Sequence, residues 1–166
     1  GAGQHDYPAW QKTWNGLLSG ATNLSVTNAW MWPTAEQFEV ADVIVFYFWN
    51  HVWDEAPYRQ LDTYLARGGG VVILHSATIA DREPEKLADR IGLAAQPQRV
   101  KYIHAPMELK FVTAPDHPLT AGLPRVLPLI DEPYWPMIGD PARVELIATT
   151  EREGTARPMV WTCRQG

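Results

Sequence analysis

GGGVVILHSA, residues 68–77, joins three glycines to a short apolar run and ends on a histidine and a serine. The run VVIL has the length of a strand covered on both faces, and the glycines before it would end any preceding helix. Upstream, DEAPYRQLDTYLARGGG (54–70) places Tyr58, Leu61 and Leu65 at helical spacing behind a capping Asp54, with a stop at Gly68. DVIVFYFW (42–49), before it, is a second continuous apolar run. Strand, helix and strand with no hairpin turn between them imply a right-handed crossover and a parallel pair. Extended along the chain, the pattern predicts an α/β fold on a mostly parallel central sheet.

The flanking sequence supplies the other expected elements. PAWQKTWNGLLSG (8–20) sets Trp10, Trp14, Leu17 and Leu18 on one helical face, and EPEKLADRIG (83–92) reads as a short helix ending on Gly92. LSVTNAW (24–30), MELKFVTA (107–114), VELIATT (144–150) and PMVWTC (158–163) read as strands. Residues 114–143 hold seven prolines and little periodicity, which predicts an ordered loop region inside a single domain spanning residues 1–166. GAGQHDYP has the character of a turn following a strand, and WTCRQG stops where a strand would continue, so a first and a last strand are expected to be missing.

Composition narrows the function classes. Net charge is −5 and the 14 basic residues are scattered, so the chain lacks the basic stripe that phosphate contacts require, and nucleic acid is not an expected partner. No apolar run is long enough to span a membrane. The lone Cys163 excludes an internal disulfide framework and fits a reducing, cytoplasmic setting.

In open parallel sheets ligands gather at the carboxyl ends of the strands. The residues expected at those ends are His5 and Asp6 in the opening turn, Asn50 and His51 after FYFW, and His75 and Ser76 after VVIL. Three of the five histidines thus occupy three such turns, while His104 and His117 lie elsewhere. Converging imidazoles are the ligand set of a divalent metal such as zinc, and they serve equally as bases near neutral pH.

HDYPAW at 5–10, the WNH turn, GGGVVILHSA, DHPLTAGL and IDEPYW together resemble the trehalose-utilisation (ThuA-like) family, through most of the chain. The resemblance implies the class I glutamine amidotransferase-like superfamily, a flavodoxin-like three-layer sandwich, and carbohydrate metabolism on a keto-sugar or disaccharide. It also implies a strand before the first motif and a final strand ending in Gly-His, neither of which is in this sequence. Related amidotransferases carry a nucleophilic cysteine on the turn after this strand. Here His75 stands in its place, and Cys163, read as an inert thiol within a late strand, does not replace it. Glutaminase chemistry is therefore disfavoured. A hydrolase built on Ser76 would need a histidine other than its neighbour, because adjacent residues point apart.

The expected pocket thus gathers His75, Glu132 and His5 as acid–base groups, with His5, His51 and His75 as the metal ligands. Asp6, Asn50, Trp53, Ser76, Asp131, Tyr134 and Trp135 are the expected sugar contacts, the last three with Glu132 coming from IDEPYW. The partner is a small sugar or sugar derivative, and self-association is left open. The competing class is a non-catalytic carbohydrate- or partner-binding module that uses the same aromatic pocket.

Overall fold

A computed structural model describes residues 5–165; the opening GAGQ and Gly166 lie outside the described residues. The crossover read from GGGVVILHSA is present. Strand β1 (Val43–Phe46) pairs in parallel with β2 (Gly70–Ile73), Val43 opposite Gly70 and Phe46 opposite Ile73, and helix α3 (Glu55–Ala66) connects them. Tyr58, Leu61 and Tyr64 form the buried face of α3; Leu65 is only half-buried, and the Asp54 side chain makes no capping bond. The three glycines have separate duties. Gly68 takes φ +91° to end the helix, Gly69 lies beneath the Tyr64 ring, and the Gly70 carbonyl accepts the Tyr64 hydroxyl at 3.0 Å.

Helix α1 (Tyr7–Leu18) follows the opening turn and buries no residue fully; its Trp10 ring lies 4.6 Å from Tyr47. LSVTNAW is not a strand: no neighbour pairs with it among the described residues, and Leu24, Val26 and Trp30 are exposed. Alternation alone cannot hold a strand whose backbone groups find no ladder. Helix α2 (Ala35–Val40) carries a reciprocal cap between Thr34 and Gln37. Its Phe38 joins Phe46, Trp53, Tyr58, Leu61 and Tyr64 in the core, and Trp32 stacks on Phe46. Helix α4 (Pro84–Ile91) follows, ending on Gly92 as expected.

Beyond α4 the mostly parallel expectation fails. Strands β4 (Ala105–Phe111), β5 (Val126–Asp131), β7 (Val144–Arg152) and β8 (Thr155–Cys163) form an antiparallel sheet in the order β5-β4-β7-β8. A two-residue turn joins β7 to β8, with Glu153 at φ +54° and Gly154 at φ +68°, the geometry that matches the twist of a hairpin. The proline-rich stretch expected as loop contains β5 and the short β6 (Tyr134–Trp135), which pairs with β3 (Lys101–Tyr102). Pro128 is tolerated because β5 is an edge strand, where a missing N–H leaves no partner unsatisfied. The two halves are tied where the Trp161 indole donates to the Ile91 carbonyl at 2.7 Å. No described helix is long and apolar enough to cross a membrane.

The glycine beneath Tyr64 gives a test. A Cβ on Gly69 would run into the Tyr64 ring, which is almost fully buried. Gly69→Ala should therefore cost about 1–3 kcal/mol in urea denaturation, as overpacking does. Tyr64→Phe, losing one hydrogen bond, should cost about 1 kcal/mol. An alanine variant as stable as the parent would refute the close approach.

Candidate functional site

His75, the first residue after Leu74, adopts φ +52° and opens a 3₁₀ turn, His75–Thr78. That left-handed backbone costs a residue with a Cβ roughly 1–2 kcal/mol. The surroundings impose it. The Leu74 N–H donates to the Phe46 carbonyl at 2.9 Å, the Ser76 hydroxyl to the Phe48 carbonyl at 2.8 Å, and the Thr78 hydroxyl to the His75 carbonyl at 2.7 Å. Ser76 is completely buried, so it braces the two turns against each other and does not line a pocket.

The His75 ring meets groups delivered by the end of β5 and by β6. Its Nδ1 lies 3.1 Å from the Tyr134 hydroxyl and its Nε2 3.4 Å from Glu132 Oε2, while the Tyr134 hydroxyl reaches the same Oε2 at 3.2 Å. The Tyr134 hydroxyl thus bridges ring and carboxylate, while the approach of Nε2 to Glu132 is a charge contact and not a hydrogen bond. Burial and the Glu132 carboxylate push the Tyr134 phenol well above its ordinary value, so it stays a hydroxyl. Burial, reinforced by nearby His5, holds His75 below its ordinary 6.5 against the opposing pull of Glu132 and Asp131.

His5 stands edge-on to His75 with ring centroids 5.0 Å apart, and its Nδ1 is 3.3 Å from the Tyr47 hydroxyl. His51 does not join them. It lies on the far side of Trp49, whose ring is 4.7 Å from His51 and 5.8 Å from His5. His51 Nδ1 is 3.4 Å from Asp81 Oδ1, and its carbonyl accepts the Asp81 N–H at 2.9 Å. Burial depresses His51 below 6.5 despite Asp81. Among the described residues no group of three or more His, Cys, Asp or Glu side chains is arranged to hold a metal ion. Both ring nitrogens of His75 already face protein groups, so the expected set of His5, His51 and His75 does not fit a zinc site in this arrangement.

The remaining expected residues divide. Asp131 turns its Oδ1 onto the Glu132 N–H at 2.8 Å and stays exposed beside the network. Asp6 caps α1 through the Ala9 N–H, and Asn50 closes a local turn on the Val52 N–H. Trp53 and Trp135, expected as sugar contacts, are buried: their indoles donate to the Ile79 carbonyl and to Glu153. The Cys163 thiol contacts Arg164 and Gln165 at the end of β8 and touches none of these groups. Sequence reasoning missed Tyr47, Asp81 and Tyr102, and weighed Trp49 as part of a sugar platform without retaining it. Tyr47 and Trp49 belong to the same FYFWNH turn as His51 and could have been found by continuing the strand's alternation past Phe46.

The sequence profile of the ThuA family, trehalose utilisation, matches residues 4–166. The chain belongs to the ThuA family. A solved structure described as a ThuA-like protein, from Parabacteroides merdae, superposes with a TM-score of 0.73 at 19% identity, over 100% of this chain and 73% of that one. At that identity the likeness concerns the fold alone. Among curated proteins none matches.

Two measurements follow from the geometry of this ThuA site. His75→Gly and His75→Ala lose the same imidazole contacts, but only glycine adopts φ +52° freely. The glycine variant should be the more stable by about 1 kcal/mol, the reverse of the usual order, and equal stabilities would show that the turn is unstrained. The second concerns pH. His51 and His75 resist protonation in the fold while the unfolded chain takes up protons at the ordinary 6.5. Their contribution is complete above that value and is lost as pH falls through the folded values. The thermal midpoint should therefore drop between about pH 7 and pH 5, and the double variant His51→Asn, His75→Asn should flatten the drop. An unchanged slope in the double variant would assign it to other groups.

Proposed function

We propose that this ThuA chain processes a carbohydrate by transferring a proton to or from a sugar hydroxyl or carbonyl. His75 is the base, and Tyr134 and Glu132 hold its ring and redistribute the proton. The observation that carries the reading is the cluster of His75, Tyr134 and Glu132, in which the Tyr134 hydroxyl bridges the imidazole Nδ1 and the carboxylate. Such a network accepts a proton from a substrate group and returns it later, and the depressed His75 keeps the imidazole in its basic form near neutral pH. Membership of a trehalose-utilisation family supports a carbohydrate substrate. The position of His75, beyond the carboxyl end of β2 in a parallel pair, supports the flavodoxin-type reading of that half of the fold.

Catalysis by the cluster predicts a separation of turnover from binding. In a screen of sugars and keto-sugars, His75→Asn and Glu132→Gln should each lower kcat by about 100-fold or more, while calorimetric affinity for the same sugar stays close to the parent value. Undiminished turnover in both variants would overturn the assignment. Sugar binding with no turnover in the parent would favour the binding-module reading.

A further inference from the structure

The rings around the cluster form a continuous arc. Trp49 lies 5.8 Å from His5, His5 5.0 Å from His75, His75 4.9 Å from Tyr134, and Tyr134 6.2 Å from Tyr102, all between ring centroids. The middle of the arc is polar and largely buried, whereas both ends are open: Trp49 is 39% exposed and Tyr102 64%. The two ends come from unrelated parts of the chain, the turn after β1 and strand β3, so no local pattern accounts for their flanking the same histidine.

From this arc we infer that Trp49 and Tyr102 are the residues that set substrate affinity, stacking on the apolar faces of the sugar at either side of His75. The inference rests on the carbohydrate reading above and adds the groups that hold the ring. Proton transfer requires the reacting hydroxyl or carbonyl to stay within hydrogen-bond reach of the imidazole, and a sugar's hydroxyls alone exchange readily with water. An aromatic plane gives the C–H face of the ring an apolar contact that water does not replace. Of the tryptophans placed in or beside the site by sequence or structure, Trp53 and Trp135 are sealed, with their N–H groups engaged inside the protein. Trp49, between His5 and His51, keeps part of its ring exposed. Tyr102 meets Tyr134 at an interplanar angle of 85° and makes no hydrogen bond to the His75, Tyr134 and Glu132 cluster.

The test uses a sugar from the screen above that binds the parent chain. Trp49→Leu and Tyr102→Leu should each raise KM and the calorimetric Kd by about 10-fold with kcat nearly unchanged, because stacking acts equally on bound substrate and transition state. Trp49→Phe and Tyr102→Phe should restore most of the affinity, since they return a flat ring without the N–H or hydroxyl. Trp30→Leu, which removes a tryptophan more exposed than Trp49 and outside the arc, should change nothing. The Kd series is repeated in the His75→Asn background, where turnover no longer contributes. Parent-like affinity in both leucine variants overturns the stacking role and leaves the acid–base reading standing. Loss of kcat at unchanged KM also overturns it, by making these residues part of the chemistry. If no sugar binds the parent chain, the carbohydrate reading itself fails and this inference fails with it.

Discussion

The bond from the Leu74 N–H to the Phe46 carbonyl is the last rung between β1 and β2, and everything at the site is arranged by what happens just beyond it. Two parallel strands held in register must release their chains side by side, and here neither has room to spread. Ser76 reaches across to Phe48, Asp81 to His51, and the Trp53 indole to Ile79, so the two departing turns are sewn together over several residues. The φ of His75 is the consequence. A chain that must turn at once to make these contacts takes the left-handed step at the first position outside the strand. In amidotransferase-like folds the same step exposes a nucleophile. Here it presents an imidazole.

How much of this was legible in the sequence follows from the range of the interactions. The crossover was legible because each part is local: an apolar run, a helical stripe, and glycines whose φ or crowding admits little else. The antiparallel half was less so. The Glu153-Gly154 turn lacks the Asn-Gly or Asp-Gly pair that marks such a hairpin in a sequence, and β5 hides behind Pro128, a residue that argues against a strand unless the strand is known to be at an edge. LSVTNAW had the composition of a strand and lacked a partner, which no single segment can reveal.

The site divides along the same line. His5, His75, Glu132 and Tyr134 could be listed from strand ends and from the resemblance, and they meet. His51 could be listed by the same reasoning and does not meet them, because Trp49 stands between and Asp81 draws it away. The tryptophans show the limit most clearly: Trp53 and Trp135 were picked as contacts and Trp49 passed over, yet burial sorts them the other way. Burial is a property of the assembled fold, and residue type carries little of it when all three candidates are indoles.

Glu132 hangs from the end of β5, a strand that pairs on one side only, through β4, and whose side chains are mostly exposed. The imidazole it faces is fixed to the interior of the crossover. One member of the cluster is therefore mounted on the crossover and another at the end of an edge strand. A shift of β5 against β4 would move the carboxylate relative to the ring, so the surroundings of His75 depend on how an edge strand is seated.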